Sequence, residues 1–589
     1  MIVNRSHIAI GLFALALLGG HSTAADRPSV LLILADDLGW GDLSGHGNRS
    51  LATPALDQLA AEGASFTRFY VQPVCAPTRA EMLTGRYAPR DGVVGVTAGR
   101  ERLDPTTPTI ADAFSATEYV TAAFGKWHNG TQAPYHPLCR GFDSFYGFTS
   151  GHWADYFDPM LDHDGRITRG RGYLPDDLTD EAIRFIRKAD GRPFFAWVAF
   201  NTPHSPMQVP DRWWERHADQ EIHQRGSLPD REDLLHTRAA LAMVENLDEN
   251  VGRLMQTLGE LGIEDETVVL FLTDNGPNGH RFNGGLRGIK GSTDEGGVRS
   301  PLFVRCSGTI PPGLTINAPA AAIDLPATLA ELTGVSLIDG PPRDGVSLAP
   351  LLRGETNELP ERVLFSHWNN RIAARRGDLV LDHQGKLYDL RGDPYQKHDL
   401  SSDRPEEAQA LADAVSAWRE TVLGDEAIKP APLTVGHPSM LVTQLPARDA
   451  TTRGTIKRSN RYFNATYFSN WASTEDAIVW DTEVVQAGRF RATAYYTCGP
   501  ANVGSTIELR FGDASTTTTV ATAFDPPLTA STNDRYPRAE GDMKRFAELQ
   551  LGTIDLTEGR GELVLQAMQV ANHQVMDFRL LVLERVEER

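Results

Sequence analysis

The chain has 589 residues, of which 41% are hydrophobic and 23% are charged, and its formal net charge is −20. This length exceeds one ordinary domain core, and the composition is typical of a soluble globular protein. The acidic balance argues against nucleic acid as a partner, because phosphate backbones bind to basic surfaces. It does not argue against a small anionic substrate, which responds to a local cluster of cations.

The N-terminus has the pattern of a secretory signal peptide. Arg5 and His7 precede an apolar run at 8–18 that is too short to span a bilayer, and small residues follow it. We therefore expect residues 1–25 to be cleaved during export to the periplasm or the medium, with an uncleaved anchor as the alternative. No later segment has the apolar length of a spanning helix, so a membrane anchor is not expected.

The cysteine content does not indicate a disulfide framework. The four cysteines are Cys75, Cys139, Cys306 and Cys498. They are few for an exported chain of this length, and their spacing does not resemble a zinc site. If Cys75 has a chemical role, three remain, so at most one internal bridge can form.

Strand and helix patterns alternate up to about residue 335. Continuous apolar runs predict buried strands at 29–35, 193–200 and 266–273, and further strands are predicted at 64–71 and 119–124. Helical spacing and capping residues predict helices at 54–61, 109–114, 178–188, 233–261 and 324–332, and one that begins at Cys75. This alternation predicts an α/β domain over residues 26–335, with a mostly parallel central sheet flanked by helices.

The remaining sequence divides into three parts. Residues 336–426 carry alternating strands and one amphipathic helix, which predict a subdomain with a small antiparallel sheet. Residues 427–453 are rich in Pro, Thr and Ala and are predicted to be a linker. Short alternating strands with no helix between them predict an all-β sandwich over residues 454–589.

Cys75 opens the segment Cys-Ala-Pro-Thr-Arg, which is typical of a junction between a loop and a helix. A proline in the first helical turn costs little, and the free N–H groups of that turn suit an anion. Arg79 lies one turn further on the same face. The segment is therefore either a capped helix with a buried thiol or a nucleophile at an anion-binding helix start.

Polar side chains follow each of three buried strands. Asp36 and Asp37 come after the first, His204 after the second, and Asp274 with Asn275 after the third. Ligands bind at this edge of an open α/β sheet, and carboxylate and carboxamide oxygens suit Ca²⁺ or Mg²⁺. Taken alone, the paired aspartates are equally consistent with a solvated turn.

Cations and further proton carriers accompany these oxygen ligands. Lys126 and His128 follow a predicted strand, and Lys290 lies in a glycine-rich loop that also holds Arg287. Spacing alone would favour a surface lysine and a structural histidine at that strand end. Together with Arg79, however, these groups describe a site for a tetrahedral anion, with a divalent cation, fixed positive charges and two histidines.

In this order the motifs resemble those of the type I, formylglycine-dependent sulfatases of the alkaline phosphatase superfamily. The resemblance covers about residues 27–422. The motifs that carry it are Asp36-Asp37, Cys75-x-Pro77-x-Arg79 followed by Leu83-Thr84-Gly85, Gly125-Lys126-Trp127-His128, Thr202-Pro203-His204 and Asp274-Asn275-Gly276. The cysteine motif with its Leu-Thr-Gly extension is highly specific for that family.

The resemblance implies that a maturation enzyme oxidises Cys75 to Cα-formylglycine while the chain is still unfolded, and that the aldehyde is then hydrated. One hydroxyl of the gem-diol attacks the sulfur, and the alcohol leaves. Loss of the proton of the second hydroxyl expels sulfate and regenerates the aldehyde.

The resemblance also implies a role for each site residue. The cation ligands are Asp36, Asp37, Asp274, Asn275 and the formylglycine made from Cys75. Arg79 and Lys126 steady the formylglycine, and His128 takes the proton of the second hydroxyl. His204 protonates or polarises the leaving oxygen, and Lys290 holds a sulfate oxygen, with Arg287 as its competitor.

Four further positions near the motifs are of interest. The family has one more polar contact residue after the Gly-Phe-Asp at 141–143, and in this sequence it is either Ser150 or His152. The sequence does not decide between these two residues. Thr78 stands where many relatives have serine, which we expect to matter little. Asn129 stands where many have leucine, which points to a changed leaving-group pocket.

The C-terminal region resembles, more loosely, a β-sandwich carbohydrate-binding module. The resemblance rests on its aromatic-rich alternating strands and its final apolar run. Trp471, Trp480, Tyr495 and Tyr496 could stack on sugar, but such aromatics are more often sandwich core, and we predict core for most of them.

These observations predict an exported sulfuric ester hydrolase that acts on sulfate esters, and more narrowly on sulfated carbohydrate. The expected partners are that substrate and the formylglycine-generating enzyme. One alternative is a phosphatase or phosphonate monoester hydrolase of the same superfamily, although the aspartate motifs suffice for only one cation. A second alternative is a non-catalytic protein that binds sulfated glycans and keeps Cys75 unmodified.

Overall fold

The computed structural model describes residues 27–424, 430–529 and 533–586. The predicted signal peptide, residues 1–25, lies outside the described residues. The described chain forms an α/β domain with a large mixed sheet, a small antiparallel sheet and a two-sheet β-sandwich, which confirms the predicted fold class. Within these ranges, no helix combines the length and the apolar character needed to cross a membrane.

A sheet of eleven strands organises the α/β domain. Its strands are β1 (Ser29–Ala35), β2 (Ala64–Tyr70), β3 (Val120–Lys126), β4 (Ser144–Phe148), β5 (Met160–His163), β6 (Arg166–Arg169), β7 (Phe194–Ala199), β8 (Thr267–Thr273), β9 (Arg299–Arg305), β10 (Leu314–Ile316) and β11 (Ala320–Ala321). The order across the sheet is β10-β2-β9-β8-β1-β7-β3-β4-β5-β6, and β11 pairs with β2. The central strands β8, β1, β7, β3 and β4 are parallel, so their carboxyl ends meet at one edge.

Helices cover both faces of this sheet. They are α1 (Pro54–Glu62), α2 (Cys75–Thr84), α3 (Ile110–Ser115), α4 (Leu174–Lys188), α5 (Asp211–Trp214), α6 (Leu234–Leu261), α7 (Glu295–Val298), α8 (Leu325–Thr333) and α9 (Ala349–Leu352). In β1, Leu32 and Leu34 pack with α2, α3 and α8, whereas Leu31 and Ile33 pack with α1, α4 and α6. Both faces of the central strands are therefore buried, which explains their continuous apolar composition.

A small antiparallel sheet follows the α/β domain, as the alternating pattern predicted. Its strands are β12 (Leu364–Trp368), β13 (Arg371–Arg376), β14 (Leu379–Leu381) and β15 (Leu387–Asp389), paired in sequence order. Helix α10 (Pro405–Trp418) packs Leu411 against this sheet, and a π-helical turn at Arg419–Leu423 continues it.

The C-terminal sandwich consists of two six-stranded sheets. Its strands are β16 (Leu433–Val435), β17 (Val442–Pro446), β18 (Thr451–Arg453), β19 (Lys457–Arg458), β20 (Phe468–Ser469), β21 (Ala477–Val484), β22 (Gly488–Thr497), β23 (Thr506–Phe511), β24 (Ala514–Thr519), β25 (Ala547–Leu556), β26 (Gly559–Gln569) and β27 (Asp577–Arg585). Trp471, Trp480 and Tyr496 lie in the core between the sheets, and Tyr495 is buried. This confirms the prediction that most of these aromatics are core, whereas Tyr495 lines a cavity.

The predicted linker at 427–453 is corrected by the structure. Strand β16 pairs with β21, β17 with β27 and β18 with β21, so the described residues from Leu433 onward belong to the sandwich sheets. Val435 and Leu445 enter the sandwich core. These strands are three to five residues long, which is too short for a periodicity to appear against a Pro- and Thr-rich background.

The sandwich packs directly against the α/β domain. An isolated β-bridge joins Gln208, in the segment after β7, to Asp534. The Arg579 guanidinium lies 5.2 Å from the ring centroid of Trp153, in the segment after β4. Both contacts lie on segments that leave the carboxyl edge of the large sheet, so the sandwich is positioned beside that edge.

Candidate active site

The carboxyl ends of the parallel strands bring most of the predicted site residues to one edge of the large sheet. The side chains that end or follow β1, β3, β7 and β8 there are Asp36, Asp37, Lys126, His128, His204, Asp274 and Asn275. All are buried except His204, whose side chain is 13% exposed. Buried charges of this kind require partners, and the contacts at this edge supply them.

Helix α2 carries Cys75 at its first position and Arg79 one turn further, and all ten of its residues are buried. Gly85 ends the helix in the left-handed conformation, with a φ of 75°. The Thr78 hydroxyl donates to the carbonyl of Asp274 at 2.6 Å, which ties the first turn to the end of β8. Burial raises the pKa of the Cys75 thiol, so an unmodified Cys75 would be neutral at pH 7.

One buried ion pair connects α2 with the end of β8, and a second joins the ends of β3 and β1. Arg79 donates to Asp274 Oδ2 from Nη2 at 2.8 Å and from Nε at 3.1 Å. Its Nη1 donates to the Lys126 carbonyl at 2.6 Å, and Lys126 Nζ lies 2.7 Å from Asp36 Oδ2. Burial together with Asp36 nevertheless raises the pKa of Asp274 to about 6, against the opposing effect of Arg79. The acidic cluster would therefore accommodate a further positive charge.

A third pair joins Lys290 to Asp37, with Nζ 2.6 Å from Oδ1. Burial opposes the charge of Lys290, but Asp37 raises its pKa above the ordinary value, so the ammonium group stays charged. Burial alone would raise the pKa of Asp37, yet His204 and the two lysines hold it below its ordinary value. The competitor Arg287 pairs with Asp294 instead and makes no contact with the aspartates of the site.

The oxygen atoms at this edge fit a single hard cation. Asp36 Oδ1, Asp37 Oδ2 and Asn275 Oδ1 are buried and have no hydrogen-bond partner among the residues that the structure describes. One potential ligand atom from each of Asp36, Cys75 and Asp274 lies within 4.8 Å of the others. Orphaned buried oxygens are costly, and carboxylate and carboxamide oxygens are what Ca²⁺ and Mg²⁺ prefer.

His128 is arranged as a proton acceptor. Its Nε2 lies 2.9 Å from the carbonyl oxygen of Val96. Because a carbonyl can only accept, this pairing assigns the hydrogen to Nε2 and leaves the lone pair on Nδ1. Nδ1 is buried without a hydrogen-bond partner in the described chain. Burial, followed by the charge of Lys126, lowers the pKa of His128 well below its ordinary value, so the ring is neutral.

His204 presents its other nitrogen to the site. Nδ1 lies 2.5 Å from the Ser205 carbonyl and donates to it, and Nε2 lies 3.6 Å from Asp37 Oδ2. Burial lowers the pKa of His204 to about 4, although Asp37 opposes this shift. His152 stacks on this ring with centroids 5.8 Å apart, whereas the Ser150 hydroxyl donates to the His152 carbonyl. Of the two residues left open, His152 is thus the one against a predicted site residue.

The structure adds residues that the sequence analysis did not assign to the site. The two polar side-chain atoms of Asn201 are buried without partners in the described chain, and its position after a buried strand is the signal that could have identified it. Arg281 donates to the Asp37 carbonyl at 2.9 Å and carries no motif that would reveal this. Asn129, which the sequence analysis had already placed near the leaving-group pocket, is fully buried and donates to the carbonyls of Ala76 and Glu101, each at 3.3 Å, so it contacts the start of α2.

The fold and this arrangement fit a hydrolase for esters of a tetrahedral oxyanion. Fixed cations can hold the oxygens of the anion, and two neutral histidines can move protons. A cation held by the orphaned oxygens would polarise the same group.

Comparison with known proteins narrows this class. The Sulfatase family model matches residues 28–335. The chain is 37% identical over 394 residues to arylsulfatase A of Bos taurus, covering 61% of this chain and 73% of that protein. It is 31% identical over 393 residues to N-acetylgalactosamine-6-sulfatase of Canis lupus familiaris, covering 60% and 71%. The crystal structure of Ps i-CgsB in complex with k-i-k-neocarrahexaose is similar at a TM-score of 0.61 and 28% identity, covering 68% of this chain and 95% of that one. The chain belongs to the sulfatase family, and it is a sulfate ester hydrolase.

Proposed function

We propose that this sulfatase is exported and removes sulfate from sulfated carbohydrate, using a formylglycine made from Cys75 and one divalent cation, Ca²⁺ or Mg²⁺. The observation that carries the proposal is the position of Cys75 at the start of α2, with its sulfur within 4.8 Å of carboxylate oxygens of Asp36 and Asp274. The carbohydrate substrate is supported by relatives named for acetylgalactosamine sulfate and by the carrahexaose complex. Export is supported by the signal-peptide pattern of residues 1–25.

The environment of Cys75 supports its conversion. Its side chain is buried and its pKa is raised, so as a cysteine it would be a poor nucleophile. A hydrated formylglycine supplies a hydroxyl that attacks sulfur and a second hydroxyl whose proton can be lost to release sulfate. Because every residue of α2 is buried in the folded chain, the maturation enzyme would have to act before folding.

The charged side chains bind different parts of the reacting complex: residue 75, the sulfate and the cation. Arg79 and Lys126 hold residue 75 in position, and Lys290 moves from Asp37 to an oxygen of the bound sulfate. The cation would be held by three oxygen atoms that have no hydrogen-bond partner in the described chain, namely Asp36 Oδ1, Asp37 Oδ2 and Asn275 Oδ1. Asp274 and residue 75 would complete its ligands.

The two histidines handle the protons. Nδ1 of His128, which is unpaired in the described chain, accepts the proton of the second hydroxyl. Nε2 of His204 donates to the leaving oxygen. The negative charge of a sulfate ester beside this nitrogen would raise the pKa of His204 from about 4 and so favour its protonation.

Peptide mass spectrometry across residue 75, on chain expressed with and without a formylglycine-generating enzyme, tests the modification. We expect formylglycine and turnover to appear together, and turnover by a chain with unmodified Cys75 would refute this part. Matched aryl sulfate and aryl phosphate esters test the reaction, and faster phosphate turnover would count against it. Release of sulfate from a panel of defined sulfated saccharides tests the substrate class, and aryl sulfate turnover with no saccharide turnover would exclude it.

A further inference from the structure

A cavity of about 820 Å³ lies between the sandwich and the α/β domain, close to the candidate active site. Its size is that of a small-molecule site. Both domains contribute polar side chains to its wall: Arg231, His236 and Asn278 come from the α/β domain, and Arg461, Tyr462 and Arg538 come from the sandwich.

Ser205 connects this cavity to the catalytic edge. It directly follows His204 in the chain. Its hydroxyl oxygen accepts a hydrogen bond from Asn278 Nδ2 at 3.2 Å and another from Arg538 Nη1 at 3.4 Å. Asn278 of the α/β domain and Arg538 of the sandwich therefore both contact Ser205, the neighbour of the predicted proton donor His204.

A second connection runs through the segment after β4. The ring of Tyr462 lies edge-on to His152, with centroids 6.3 Å apart. Gly151 lies between the His128 imidazole and the Asn464 amide: a Cβ there would be 2.4 Å from Nε2 of the former and 2.5 Å from Nδ2 of the latter. The sandwich thus reaches the immediate surroundings of both site histidines.

The cavity carries unbalanced positive charge. Among the described residues, neither Arg461 nor Arg231 has a carboxylate oxygen within 4.0 Å. Arg538 is paired with Glu540 at 3.3 Å, so its charge is already balanced. Asp233, which also lines the cavity, accepts from two backbone N–H groups as the N-cap of α6. An anion in the cavity would find two guanidinium groups that have no carboxylate partner among the described residues.

Tyr462 holds the guanidinium groups of the sandwich in place. Its hydroxyl lies 3.0 Å from Arg461 Nη2 and 3.1 Å from Arg538 Nη2, and it accepts from both. These two hydrogen bonds lower the pKa of Tyr462. Arg461 is therefore positioned at the wall of the cavity before any ligand arrives, which reduces the entropy lost on binding.

We propose that this cavity is a subsite for a second anionic group, a sulfate or a carboxylate, on the saccharide whose sulfate ester is being hydrolysed. The inference rests on the proposed sulfated-carbohydrate function. Arg461 and Arg231 bind the anion through charge-assisted hydrogen bonds, for which the planar guanidinium is well suited. The sandwich then contributes to substrate recognition through the residues it places at the cavity, since Trp471, Trp480 and Tyr496 are buried in its core.

The test compares two disaccharides that differ by one sulfate, chosen among the saccharides that the wild-type enzyme hydrolyses. The measured quantity is the ratio of kcat/KM for the disulfated substrate over the monosulfated one. We expect Arg461→Ala and Arg231→Ala each to lower this ratio about tenfold, which corresponds to ~1.4 kcal/mol. A second pair, differing by one uronate carboxylate, distinguishes a carboxylate from a sulfate as the preferred anion.

Arg560→Ala is the matched control, because it removes the same charge from an exposed pair with Asp481 elsewhere on the sandwich. We expect it to leave the ratio unchanged. A wild-type enzyme that hydrolyses aryl sulfates but no saccharide would remove the proposed substrate class, and the subsite with it. The subsite alone would be overturned if the enzyme hydrolyses saccharides but the Arg461 and Arg231 variants keep the wild-type kcat/KM ratio for both substrate pairs. This holds even if the variants lose the same fraction of kcat/KM on every substrate.

Discussion

Replacing Arg79 by methionine is expected to leave the Asp274 carboxylate buried without its partner. Both side chains are fully buried, and two nitrogens of Arg79 contact the same oxygen at 2.8 and 3.1 Å. At an effective dielectric constant of about 20, unit charges about 3 Å apart attract by roughly 5–6 kcal/mol, and much of this offsets the cost of burial. Removal of one partner from such a pair typically costs about 3–5 kcal/mol, which is the loss we expect.

A double-mutant cycle separates this effect from the loss of packing. Asp274→Asn removes the negative charge, so Arg79→Met should cost less in that background, with a coupling energy of about 2–3 kcal/mol. The measurement is native-state hydrogen exchange at the amides of β1 and β8, which reports the opening free energy of the α/β domain independently of the sandwich. EDTA is present throughout, so that cation binding does not contribute.

Arg453→Met, which breaks an exposed pair with Glu562, is the matched control and should change the opening free energy little. Additive effects of Arg79→Met and Asp274→Asn would refute the reasoning. An Arg79→Met effect as small as that of Arg453→Met would refute it as well.

Three further predictions concern catalysis, the cation and pH. Cys75→Ala should abolish turnover and leave the melting temperature nearly unchanged, whereas Cys139→Ala should keep turnover; activity in the first variant would disprove the assigned nucleophile. EDTA should abolish turnover and lower the melting temperature, and Ca²⁺ or Mg²⁺ at a hundred times its Kd should restore about 2.7 kcal/mol of stability; full activity after exhaustive chelation would contradict the cation site. Burial raises the pKa of Glu81 well above its ordinary value, so the contribution of Glu81 to stability is fully present at acidic pH and is lost as the pH rises through that pKa. Glu81→Gln should remove this part of the decline between pH 5 and 9, and parallel melting profiles of the two proteins would show the reasoning to be wrong.

The parallel centre of the fold was predictable because its signal is local. Strands buried on both faces, such as β1 and β8, must be apolar at every position, and this is visible in one short window. Strand β9 was missed because Pro301 interrupts its pattern and argues against a strand inside a sheet. In the structure, the pairing of β2 with β9 shifts register between Phe66 and Phe69, directly opposite Pro301. At this irregularity the ladder does not require a hydrogen bond from the proline nitrogen, so β9 can contain the proline.

The site was predictable to the extent that its residues belong to strand ends. Asp37 and Asp274 follow buried strands, so the topology of a parallel sheet already implies that they meet. The choice between Lys290 and Arg287 lies in a glycine-rich loop, whose path depends on packing that the sequence does not reveal. Lys290 reaches Asp37, and Arg287 is turned toward Asp294.

The sandwich shows most clearly where sequence reasoning stops. Its composition indicated a module joined by a linker, and its aromatics were correctly predicted to be mostly core. Instead, strands inside the predicted linker are part of its sheets, and Ala465, Tyr467 and Met543 pack with Ala154 of the α/β domain. Removing the sandwich would therefore expose apolar surface beside the active site and withdraw the side chains that line the neighbouring cavity. For this reason the α/β domain alone does not account for the surroundings of the candidate site, even though it carries every residue of the sulfatase motifs.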